Sequence, residues 1–126
     1  MGIRSCLVVV ALFLGAGVPV VAHHSFAAFD QSREVTVKGR VTEFQWTNPH
    51  AWLVVKGKIA NGPDEEWSFE MISPSVLRRN GWTKNSLKFG DEVTVTANPA
   101  RNGARFGLML AVLDAEGHSV GGEVPK

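Results

Sequence analysis

The chain has almost no cysteine. The single one, Cys6, lies near the start of its 126 residues. Past that point no disulfide, no thiolate metal site and no cysteine nucleophile can be built. Charge of one sign is also missing. Lys and Arg number 13 and Asp and Glu 12, for a formal net charge of +1. A near-neutral chain gives no electrostatic footprint for nucleic acid. Nor is there an apolar run long enough to span a bilayer, which takes roughly 20 residues. Catalytic motifs are absent as well. There is no Gly-rich phosphate cradle, and the G-x-S-x-G string at Gly117–Gly121 lies in the Gly-rich C-terminal stretch with no helix pattern after it, so it is not a nucleophile elbow. Ser25 stands near two histidines but has no orienting acid or oxyanion donor in view.

What is present begins with a leader. "MGIRSCLVVVALFLGAGVPVVA" has a positive Arg4, an apolar stretch from Leu7 to Leu14, and the helix breakers Gly15, Gly17 and Pro19. Val20 and Ala22 supply the small-residue cleavage pattern of a secretory signal peptide. The competing reading is an uncleaved membrane anchor. Cleavage after Ala22 makes residues 1–22 the signal and His23 the new N-terminus. A rival cut after Ala27 would remove His23 and His24 together. Cys6 leaves with the leader, so the exported chain uses no disulfide. Arg4 leaves too, and the remaining 12 basic residues balance the 12 acidic ones. The expected location is periplasmic or secreted, with no stable membrane insertion after cleavage and no nucleic-acid partner.

Residues 23–33 read as an N-terminal arm. "EVTVKGRVTEF" from Glu34 then alternates with period two, placing Val35, Val37 and Val41 on one face. The phase slips after Glu43, where Phe44 and Trp46 take the other parity. With Gly39 in the middle, the pattern predicts a long first strand that bends or bulges. Asn48-Pro49 is a turn signal. "AWLVVKGKI" and "EWSFEMI" are the second and third strands, separated by the solvated break "NGPDEE". "SPSVLRRNG" is one short helix, with Ser73 at the cap, Pro74 in the first turn and Gly81 ending it. The fourth strand runs from Glu92 to Ala97 and the fifth from about Arg105 to Leu113. The fold class is therefore mainly β: an OB-like, five-stranded, partly open barrel over residues 34–116, with the helix between strands three and four. An open sheet with a helical cap is the rival. Residues 117–126 read as a flexible C-terminal tail, with Val120 able to extend a pairing. The predicted core is Val35, Val37, Val41, Leu53, Val55, Phe69, Val93, Val95, Leu108 and Leu110.

"HHSFAAFD", "GRVTEFQWTNPHAWL" and "SPSVLRRNGWTKNSLKFGDEVTVTANPARNG" together resemble a family of small exported bacterial proteins known only as a domain of unknown function. The resemblance covers essentially all of the chain after the leader, and "WTNPH" and "GWT…SLK.GD.V.V" are its specific motifs. It implies no established activity and carries no catalytic residue. The positions it marks are His23, His24, Trp46, Asn48, Pro49 and His50.

Candidate chemistry starts from the processed N-terminus. His23 would offer an α-amine and an imidazole on one residue, a chelating pair. A third nitrogen would complete a T-shaped set suited to copper(II). His24 could instead supply the imidazole beside the amine, and His50 is the natural third ligand if the arm folds back. The bland alternatives are a polar tail for "HH" and a turn whose backbone is bonded by the side chains of Asn48 and His50. His118 reads as a surface residue. Trp46 and Trp52, near "TNPH", are candidates for a ligand platform together with Asn48. Arg101 and Arg105, on the loop between strands four and five, could grip an anion. Glu65, Glu66 and Glu70 read as a solubilising acidic edge.

Three functions remain open. One is a non-enzymatic exported module that binds copper(II). The second is a metal-free protein-interaction or envelope-stress module that uses the Trp-bearing barrel face, with an envelope protein as partner. The third and weakest is a copper-dependent redox enzyme.

Overall fold

A computed structural model describes residues 26–122. The elements in chain order are β1 (Val35–Gln45), β2 (Trp52–Lys58), β3 (Glu65–Glu70), α1 (Pro74–Arg79), β4 (Glu92–Pro99) and β5 (Phe106–Leu113). They form a closed barrel in the order β1-β2-β3-β5-β4, with β4 returning to β1. All neighbours are antiparallel except β3 and β5. The expected mainly β, OB-like architecture is the one observed, closed rather than partly open. The seal is the parallel pairing of Ser68–Glu70 with Phe106–Leu108.

Closure depends on β1 serving two partners. Val35–Arg40 pair with β4, and Lys38–Gln45 pair with β2. The predicted phase slip is a bulge at Thr42, between Val41 and Glu43, and Thr42 Oγ1 donates to the Val54 carbonyl at 3.2 Å. Gly39 lies opposite Gly57. A Cβ on Gly39 would collide with the carbonyl oxygen of Lys56, and one on Gly57 with that of Lys38. Here the two strands approach too closely for any side chain.

The interior is apolar and continuous. Val37, Val41, Leu53, Val55, Phe69, Val93 and Val95 are buried as the alternation requires, and Val35 packs at the margin. Trp67, Met71, Leu77, Trp82 and Leu87 complete the filling. Each large side chain taken fully out of water contributes about 1.5–3 kcal/mol. Leu108 and Leu110 do not belong to this core. The inward residues of β5 are Gly107, Met109 and Val112, and Leu108 and Leu110 remain partly exposed. The cause is a second bulge. Ala97 faces Met109 but Thr96 faces Ala111, so Leu110 is an extra residue. Because β5 is apolar on both faces, its sequence alone cannot set the parity.

Helix α1 is held at its ends. Ser73 has the extended conformation of an N-cap, yet its side chain makes no capping hydrogen bond. Its Oγ meets Ser75 Oγ instead. Pro74 sets the first turn. At the other end Gly81 adopts φ +85°, Gly81 N donates to Arg78 O and Trp82 N to Leu77 O. This is a Schellman stop, and it turns Trp82 into the core at 1% exposure. The stretch expected to be a tail runs back along the barrel as far as Gly122. Val120 N donates to Val112 O at 2.8 Å, and Gly122 N meets Asn80 O at 2.6 Å.

Candidate functional site on the outer wall

Side chains that alternate outward on β2, β3 and β5 should be polar. In this sector four of them, Trp52, Val54, Phe106 and Leu108, are apolar. The register sets Trp52 beside Glu70 and Glu70 beside Leu108; Val54 lies beside Ser68 and Ser68 beside Phe106. Trp52 and Phe106 stack with ring centroids 5.5 Å apart, and Phe29 reaches Phe106 at 5.1 Å. Phe29 comes from the N-terminal arm and is 2% exposed. The wall therefore carries a second, smaller apolar layer, closed by the arm.

The arm is pinned by backbone and side-chain bonds. Phe29 bridges Ala100, Asp30 N donates to Pro99 O, and Arg101 N donates to Ala28 O. Arg101 Nε donates to Ala27 O at 3.0 Å, and its guanidinium lies 4.0 Å from Asp30. Buried Asn98 donates from Nδ2 to Arg33 O at 2.7 Å. Ser32 donates to Asp30 from both hydroxyl and backbone N–H, and these bonds, helped by the charge of Arg101, hold the Asp30 carboxyl below the usual aspartate range. Arg101 is thus a clamp on the arm. Arg105 pairs with Glu65 at 3.2 Å. Each arginine is engaged separately by the protein's own groups.

The loop 46–51 carries His50. Asn48-Pro49 is a cis peptide bond, and the turn is clasped by Thr47 Oγ1 donating to His50 O at 2.9 Å. Asn48 is exposed and makes no side-chain hydrogen bond among the described residues. Trp46 is half-buried and packs edge-on against Phe44 at 5.9 Å, as part of the core margin. Trp52 is half-buried in the outer layer. His118 is exposed beside Asp114, on the far turn after β5.

Sequence reading missed the partner of His50. Glu70, taken for part of an acidic edge, is 4% exposed, and its Oε1 meets His50 Nδ1. The histidine ring is about one-third exposed, and Nε2 has no hydrogen-bond partner among the described residues. The signal in the sequence was weak: a lone acid between Phe69 and Met71, whose strand neighbours are known only once the register is known. Asn98 was missed for the same reason.

His23 and His24 lie outside the described residues. Among the described residues no group of three metal-ligating side chains occurs, and no helix is long and apolar enough to cross a membrane.

A five-stranded barrel in this strand order, helix between strands three and four, defines the chain as an OB-type domain. Within that class it belongs to a family of unknown function (DUF6152), whose model matches residues 11–110. No curated protein and no solved structure matches it.

Proposed function

We propose that this protein is an exported, non-enzymatic binding module that holds copper(II) at its processed N-terminus, with His50 assisting. The ligands would be the α-amine and imidazole of His23 and the imidazole of His50, with His24 as an alternative donor. A nitrogen-rich set of this kind suits copper(II). The observation that carries the reading is the course of the arm. Phe29 is fixed on the outer wall, two ring contacts from Trp52, and Trp52 is two residues from His50. Phe26–Ala28 form a 3-10 turn, and Ala27 and Ala28 are bonded to Arg101, so three residues, His23–Ser25, precede the pinned segment; fully extended they span roughly 10 Å. The reading requires these three residues to carry the terminus from Phe26 to His50 while the arm stays pinned. Cleavage after Ala22 and a periplasmic location belong to the same proposal.

The experiment has two parts. Intact mass of the exported protein should correspond to a start at His23. A start at Ala28 would remove both histidines. Calorimetric titration should then show one copper(II) bound more tightly by the chain starting at His23 than by one extended with a single Met. The extension turns the α-amine into an amide, a far poorer donor at neutral pH. Acidification should release the metal, because protons compete for the same nitrogens. Equal weak binding by both forms would end the metal reading.

The second reading, a metal-free interaction module, draws on one specific observation. Trp52, Val54, Phe106, Leu108 and Leu110 leave an apolar, half-exposed strip on the outer wall. An envelope protein would be its partner, and binding would then be indifferent to the N-terminal extension.

A further inference from the structure

We propose that Glu70 is a positioning residue for His50: it holds the proton of the ring on Nδ1 and leaves Nε2 as the nitrogen presented to a divalent copper or zinc ion. The proposal rests on the metal reading for its purpose, but its first consequence concerns the metal-free protein.

Glu70 is out of place as a barrel residue. Its neighbours Phe69 and Met71 point inward and are fully buried, so Glu70 points to the outer wall. There an acid would normally reach water. Instead it is buried between the apolar cross-strand neighbours Trp52 and Leu108. Taking a carboxylate out of water is costly unless it finds a partner. Its side-chain partner among the described residues is His50. An apolar residue would fill the same place at no such cost, so packing gives no reason for the acid.

The geometry gives it a role. A carboxylate against Nδ1 draws the ring proton to that nitrogen, and the lone pair is then on Nε2. Metal-bound histidines commonly have this second partner, which fixes the tautomer, orients the ring and raises its basicity. The backbone beside both residues is tied down in advance. Met71 N donates to Ala51 O at 2.9 Å, Ala51 N to Ile72 O at 3.2 Å, and Thr47 Oγ1 to the carbonyl of His50 itself. A ring held this way loses little freedom when it binds. The negative charge behind the ring also suits a dication in front of it.

The test uses the chain beginning at His23, which contains every described residue, with the variants Glu70→Gln, Glu70→Leu and His50→Ala and the Met-extended form. Nitrogen NMR of the metal-free protein should show His50 with Nε2 unprotonated. Glu70→Leu should shift the population toward the Nε2–H form, and Glu70→Gln, whose amide oxygen still accepts, should shift it less. Copper(II) affinity should fall about 10–100-fold in Glu70→Leu, at least as far in His50→Ala, and by an intermediate factor in Glu70→Gln. If Glu70→Leu does not fold, Glu70→Gln carries both measurements, because it keeps the volume. Wild-type protein with the proton on Nε2, or Glu70 variants that bind copper as tightly as wild type, would overturn the proposal. Failure of the N-terminal reading has a different signature. The Met-extended chain would then bind as well as the free terminus, while the tautomer result would stand.

Discussion

The same strands make two unlike surfaces. Inside the barrel, the buried core side chains among the described residues are apolar, and the alternation holds except at the two bulges. On the outer wall of β2, β3, β5 and the end of β4 the rule fails twice over. Aromatic and aliphatic residues stand where polar ones belong, and Glu70 and Asn98 are buried where they could have been solvated. The interior requires nothing except volume and hydrophobicity. The wall carries polar groups with particular partners: Asn98 on the arm carbonyl of Arg33, Arg101 on Ala27, Glu70 on His50. Stability resides in the first surface, and specific chemistry has room only in the second.

The contrast breaks if the two surfaces respond alike to substitution. The largest effect is expected inside. Trp82→Ala removes the side chain that follows the helix stop and should cost about 3–5 kcal/mol in denaturant unfolding. Phe29→Ala on the wall should cost less, about 1.5–3 kcal/mol for the lost burial alone, because the arm can come away while the barrel stays closed. Hydrogen exchange would separate the two cases. In Phe29→Ala the amides of Asp30 and Arg101 should lose protection, while those of β1 and β4 keep theirs.

Glu70→Leu sharpens the comparison further. Replacing a buried charge by an apolar residue among apolar neighbours should leave thermal stability within about 1 kcal/mol of wild type, or raise it. A large loss would mean that Glu70 is part of the scaffold. The smallest effect concerns pH. Folding holds the Asp30 carboxyl below its ordinary value of about 3.9, through Ser32 and Arg101. Its contribution to arm docking is therefore complete above about pH 4 and disappears as pH falls through the lowered value. The protection factor of the Arg101 amide, which bonds Ala28 O, should fall over that acid range and stay flat above it.

The interior was legible because it obeys a periodic rule. Alternation alone located the inward valines of β1 and β4, Leu53, Val55 and Phe69, and the phase slip near Glu43 announced the bulge at Thr42. Asn80-Gly81 marked the helix stop. Strand β5 failed because both of its faces are apolar, so neighbours rather than sequence set its parity. Ser73 failed as a side-chain cap because its hydroxyl turns to Ser75. The wall was legible only as isolated residues. His50, Trp52, Arg101 and Arg105 could be named, but not Glu70 as the partner of His50, because that pairing depends on the β2–β3 register across a turn. Nor does a sequence show that Arg101 spends its hydrogen bonds on the arm.

The most direct measurement is copper-induced paramagnetic broadening of the histidine ring signals in the chain beginning at His23. At substoichiometric copper(II), the signals of His23 and His50 should vanish together, while those of His118, on the far turn after β5, persist. Loss at the terminus alone, with His50 untouched, would contradict the claim that the arm brings the N-terminus to the outer wall.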